Sequence, residues 1–185
     1  MCVVFIALMT LPAILYGQDK PQAQPVPTAN PITTSEKAVY AFVSDAVVRA
    51  AEKMPEENYS FKPTPEVRSF GQLVGHQADE AYFFCSQALS VENPKKGIEK
   101  TSTSKADLVA ALKDGVAYCN KALGGMTDTK GGEVVKFFNF DMARLSLLSL
   151  NTAHMDEHYG NMVTYMRLKG IVPPTSEKQP APASK

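Results

Sequence analysis

Histidine is the scarcest chemistry-bearing residue of this chain, with three among 185 residues. Two of them, His154 and His158, stand i, i+4 in the run Asn151-Thr-Ala-His154-Met-Asp-Glu-His158-Tyr-Gly160. On an α-helix that spacing stacks the imidazoles on one face, with Cβ atoms about 6 Å apart. The third, His76, lies in a separate segment. Two ring nitrogens from one helix and one from a facing helix make an open, three-ligand site for a divalent metal. Zinc, nickel and ferrous iron all accept this ligand set, and a zinc ion would lower the pKa of its water toward about 7. The pattern is not His-Glu-x-x-His, because Met155 follows His154, and Glu157 is turned off the pair's face by about one-sixth of the helical wheel.

The plainer alternative is a core histidine hydrogen-bonded to a neighbour, beside a pair that arose by chance. The surrounding residues argue against it. Asn161 and Tyr165 share the narrow face of His154 and His158, and Asn151 lies slightly to one side. Gln72 and Glu80 flank His76 at i−4 and i+4. Inward polar groups left unpaired cost about 1–3 kcal/mol each, and a hydrated metal would satisfy them. Glu80, Asn161 and Tyr165 are therefore the candidates for contact with the ligands or the substrate.

The elements that must carry these residues read as helices. Val39, Phe42, Val43, Ala46, Val47 and Ala50 form one apolar stripe, with Thr33 and Glu36 as a capping box before it and Pro55 after it. Met54 to Pro65 holds three prolines and reads as a loop. A second helix starts at Ser69, with Gln72 as its capping partner, and stops by Asn93-Pro94. A third follows Ser104 and ends at Gly124-Gly125. The fourth spans Asp141 to Lys169, with Gly170 as its terminating residue, Ile171 as the apolar contact beyond it and Pro173-Pro174 forbidding continuation. Glu133 to Phe140 fits helix or strand. The expected architecture is all-α, an up-and-down four-helix bundle over residues 34–174 with flexible N- and C-terminal tails.

Lysine plus arginine balance aspartate plus glutamate at 19 each, and no basic stripe is present, which disfavours nucleic acid as a partner. Residues 1–17 are nearly all apolar from Val3 to Leu15 and close on Gly17, which reads as a signal peptide. That apolar run is shorter than the roughly 20 residues a membrane span needs, so no stable span is expected after processing. The protein is expected to be exported, periplasmic or extracellular. Residues 18–33 and 175–185 are rich in proline, glutamine and alanine and read as a disordered linker and tail.

Without the leader the chain keeps Cys85 and Cys119, which allows one disulfide or two buried thiols. Simple antiparallel pairing puts Cys119 about 10 residues, roughly 15 Å, past the level of Cys85. A bridge needs Cα atoms within about 7 Å. The connection from Val91 to Thr103 is long enough to change that register.

Three stretches, Met54-Pro-Glu-Glu-Asn-Tyr-Ser-Phe-Lys-Pro63, Ser69-Phe-Gly-Gln-Leu-Val-Gly-His76 and His154-x-x-x-His158, resemble the DinB-like family of four-helix-bundle metalloenzymes. The resemblance spans residues 34–174 and implies one divalent metal held by His76, His154 and His158. The run from Glu157-His158-Tyr-Gly-Asn161 through Tyr165-x-Arg167-x-x-Gly170-Ile-Val-Pro-Pro174 looks like a branch with exported members, with Asn161 where many relatives carry glutamine. Some relatives are transferases or isomerases that use a small thiol, a chemistry that export argues against. The resemblance implies a metal-dependent hydrolase or group-transfer enzyme acting on a small molecule, and dimerisation, common among relatives, makes a homodimer a further expectation. The competing expectation is a non-enzymatic exported module in which the metal is structural or absent.

Overall fold

A helix whose first N–H groups lack partners frays, and the second helix is protected at that end by three acceptors. Ser69 and Gln72 form the reciprocal capping box expected of them. The preceding loop supplies two more acceptors, Phe61 O to Phe70 N at 3.0 Å and Tyr59 O to Gly71 N at 2.8 Å. Tyr59 in turn donates its hydroxyl to Ala51 O at 2.6 Å, so the proline-rich loop is fixed to the helix before it.

This computed structural model describes residues 29–178; the leader, most of the linker and residues 179–185 lie outside it. Four long helices, α1 (Pro31–Lys53), α2 (Phe70–Leu89), α4 (Lys105–Gly124) and α6 (Arg144–Leu168), make the all-α bundle. Two one-turn helices, α3 (Ile98–Thr101) and α5 (Asp128–Gly131), and an antiparallel hairpin, β1 (Val134–Phe137) with β2 (Phe140–Ala143), complete it. Their inner faces meet around Tyr40, Val47, Leu112, Leu147, Met155 and Met162, all at most 1% exposed. Burying a large apolar side chain contributes roughly 1.5–3 kcal/mol.

The helix directions depart from strict alternation. Along α2 and α4 the contacts rise together: Leu108 lies against Gly71 and Gly75, Gly115 against Ala78 and Ala81, and Tyr118 meets Ser86. These two consecutive helices are therefore parallel. Helix α6 runs against α2, with Tyr165 at Arg68 and His154 at Phe84, while α1 runs against α4, with Tyr40 at Val116 and Met54 at Lys105. The order is up, down, down, up. It arises because residues 90–104 run back along α2 rather than turning directly into the next helix. That return brings Cys85 and Cys119 to a Cα separation of 5.4 Å, and they form a disulfide. The 15 Å offset expected for antiparallel pairing does not arise.

Three boundaries and one helix face differ from expectation. At the C-terminus the described chain continues past residue 174 through a 3-10 turn, Pro174–Ser176, and Glu177 pairs with Lys53, inside the stretch expected as a disordered tail. Helix α1 starts at Pro31 behind Asn30, inside the stretch expected as linker, and Thr33 is buried within it rather than capping it. Its inward face is set by Tyr40, which leaves Val39 and Phe42 52% and 67% exposed. Tyr40 and Val43 stand one residue, about 100° of the wheel, from those two, and both are buried: the larger side chain is inward at the first pair and the smaller at the second. Residues 134–143 form the hairpin, so α6 begins at Arg144 rather than Asp141. Phe138 at its turn adopts φ 52°, a conformation glycine usually supplies. The end of α6 matches expectation: Gly170 has φ 72°, with Ile171 N bonded to Met166 O and Gly170 N to Arg167 O.

Candidate metal centre

His76 comes from the second turn of α2, and His154 and His158 from adjacent turns of α6. One nitrogen of each ring lies within 4.8 Å of the other two. His76 Nε2 and His154 Nε2 are 3.3 Å apart. Two ligands at about 2.0–2.1 Å from a tetrahedral zinc ion are separated by roughly 3.3–3.4 Å, so this spacing suits a shared ion. His154 and His158 stack edge-on with ring centres 4.5 Å apart, as the i, i+4 spacing requires.

The outer nitrogens decide which face of each ring is free. His76 Nδ1 lies 3.2 Å from Glu99 Oε2, where the carboxylate favours a proton on Nδ1 and so leaves the Nε2 lone pair for the centre. Asn161 Nδ2 lies 3.1 Å from His158 Nδ1 and can donate to it; with the amide turned over, its oxygen would instead accept the proton of Nδ1 and leave Nε2 free for the centre. His154 Nδ1 is buried and has no partner among the described residues. With two Nε2 atoms facing each other, one must carry a proton unless a cation takes both lone pairs, and His154 is left unsatisfied in either neutral tautomer.

Burial, joined by the neighbouring imidazoles and Arg68, lowers the His154 pKa to about 4. Burial is also the main cause lowering His76 and His158, with Glu99 opposing it at both rings. All three rings are thus held neutral near pH 7, the form that ligates metal. The donor set and the spacing of the facing nitrogens fit a divalent ion.

A family profile of the DinB superfamily matches residues 40–162. The chain belongs to the DinB superfamily. DinB-like structures share its fold: a protein of Bacillus cereus ATCC 10987 at 17% identity covers 76% of this chain and 95% of its own, with a TM-score of 0.69. One from Bacillus subtilis at 20% identity covers 78% and 99% at 0.63. A conserved protein of Enterococcus faecalis at 16% covers 74% and 96% at 0.62. No curated protein matches.

In this DinB-superfamily member the residues singled out beside the histidines separate into three kinds. Asn161 reaches a ring. Tyr165 does not: its hydroxyl donates to Arg68 O at 2.9 Å, tying α6 to the residue before the α2 cap. Glu80 makes no hydrogen bond or ion pair among the described residues, and burial, with Asp79 beside it, raises its pKa. Gln72 is spent on the capping box, and Asn151 packs its amide against the Cys119 sulfur.

Glu99 escaped the sequence reading because it lies on α3, in a connection without periodicity. Asp79 holds α3 in place, accepting from Ile98 N and Glu99 N at 2.9 Å each. Arg68 Nε donates to the other Glu99 oxygen at 2.9 Å. Gly75 permits the approach, since a Cβ there would stand 2.7 Å from Glu99 Cα. A glycine inside a helix is the trace that these contacts leave in the sequence. A cleft of about 660 Å³ opens beside Glu99, with Glu56, Ser69, Gln72 and Thr103 in its wall.

Proposed function

We propose that this DinB-superfamily protein is a metal-dependent enzyme, hydrolytic or group-transferring, that acts on a small molecule through one ion held by His76, His154 and His158. The observation that carries it is the meeting of three neutral imidazoles, two with nitrogens 3.3 Å apart, at a place solvent can reach. His76 keeps 13% of its side chain exposed and His154 is half-buried, whereas a purely structural zinc site is closed by four protein ligands. A zinc, nickel or ferrous ion there would supply Lewis acidity and lower the pKa of water. In this reading Glu99 fixes the His76 tautomer, Asn161 orients His158, and Glu80, one helical turn from His76 with its carboxyl pKa raised, would accept a proton. Arg68, paired with Glu99, adds positive charge near an anionic substrate or product.

We further propose that the protein is exported. Support comes from the Cys85–Cys119 disulfide, a bond that persists in oxidising compartments. No helix among the described residues is long and apolar enough to cross a membrane. Cobalt substitution tests the enzymatic reading against a metal that only staples the bundle. Azide should change the visible spectrum of the cobalt protein by entering an open coordination position. A cobalt spectrum indifferent to azide, with chelation lowering the melting temperature alone, would favour the non-enzymatic module.

A further inference from the structure

The hairpin carries an apolar face that its own packing does not cover. Cross-strand pairing puts Val135 with Met142 and Phe137 with Phe140 on that face, while Lys136 and Asp141 pair at 2.7 Å on the other. Val135, Phe137 and Met142 pack onto the core, but Phe140 remains 68% exposed and Phe138, next to it at the turn, 74% exposed. Aromatic contacts continue from the hairpin to the metal centre without a gap. Phe138 lies 4.7 Å from Phe137 and 6.1 Å from Phe83, Phe137 lies 5.9 Å from Phe84, and Phe84 lies 5.8 Å from His154. Phe138 holds its place in a left-handed conformation that a glycine would adopt without strain. An aromatic ring is thus kept at a strained, solvent-facing turn position at one end of a path that ends on a ligand ring.

We propose that this aromatic shelf is the specificity subsite of the metal centre, and that it takes an aromatic or branched aliphatic group of a substrate whose polar end reaches the ion. The proposal rests on the metal reading above. It assigns the hairpin a substrate-binding role: Phe84 forms the inner wall beside His154, Phe83 and Phe137 the floor, and Phe138 the outer edge, with Phe140 exposed across the strands from Phe137. A small polar substrate would leave the shelf wet and gain nothing from it.

Two hydroxamates with the same metal-binding head test the idea, one with a methyl group and one with a phenyl ring on a flexible alkyl spacer. Zinc-loaded full-length protein is titrated calorimetrically with acetohydroxamate and with 6-phenylhexanohydroxamate, and the titrations are repeated on F138A/F140A, whose changes fall on exposed side chains. The phenylalkyl hydroxamate should bind at least tenfold more tightly to the unaltered protein, and the preference should fall below threefold in the variant. Acetohydroxamate affinity and zinc content should stay within twofold, which shows that the variant folds and loads. Equal affinity of the two ligands for the unaltered protein, or an unchanged preference in the variant, overturns the shelf while leaving the metal reading intact. Protein that takes up no zinc and binds neither hydroxamate overturns both.

Discussion

The two helices that supply the candidate centre support their histidines very differently. On α2, His76 is braced from outside: Glu99 holds its Nδ1, Arg68 holds Glu99, and Asp79 holds the turn that carries Glu99. On α6, His158 meets one exposed amide, and His154 Nδ1 meets nothing among the described residues. The α2 ring is preorganised by the protein, whereas His154 is oriented by packing against Phe84 and by whatever its Nε2 binds. In this account the metal itself completes the α6 side.

That contrast can be broken most severely at His154. Replacing it with alanine removes one of three ligands, and metal content measured by plasma mass spectrometry should fall from near one equivalent to background. Next comes the brace between α2 and α4. The disulfide closes a separation of 34 residues, and C85S/C119S should lose about 2–4 kcal/mol in urea unfolding. If the α2 side is the rigid one, that variant should still bind metal once folded.

Removing the support of His76 without touching a ligand sharpens the comparison. Gly75→Ala forces a Cβ into Glu99 Cα, and Asp79→Ala frees α3; each should weaken metal binding roughly 10–100-fold in a competition titration. Glu99→Gln should fall within the same range. Asn161→Ala, which removes the amide that meets His158, should cost only about 0.5–1.5 kcal/mol, roughly 2–12-fold in affinity.

Acidity probes the same asymmetry in metal-free protein. All three histidines have folded pKa values below their unfolded ones, so the unfolded chain binds more protons between His154's value of about 4 and the ordinary 6.5. Stability should therefore fall as pH drops through that window, each kcal/mol lost lowering the melting temperature by roughly 2–4 °C. Bound metal should oppose the loss down to the pH at which protons displace it.

The His154–His158 pair was legible from sequence because helical periodicity places i, i+4 residues together whatever the tertiary arrangement, and the caps at Ser69 and Gly170 were legible for the same local reason; that His76 joins the pair followed from the family resemblance. Other features needed the path of the chain. Whether Cys85 faces Cys119 depends on the parallel run of α2 and α4, and nothing local encodes direction. Glu99 sits on a four-residue helix with no period to read. Val39 and Phe42 fit a stripe with Val43 and Val47, but Tyr40 filled the inward position and turned the stripe aside. The hairpin was ambiguous because EVVKFFNF suits both periods over so short a run, and the pairing of Phe137 with Phe140 decided it.

Everything turns on whether three rings share one ion. The direct measurement is X-ray absorption at the zinc edge on untagged, zinc-loaded protein, beside the same protein carrying H154A. Three imidazole nitrogens at about 2.0–2.1 Å and one solvent oxygen, with binding lost in the variant, is the expected result. Protein that binds no zinc, nickel or iron and melts at the same temperature whether or not the three histidines are replaced would contradict it.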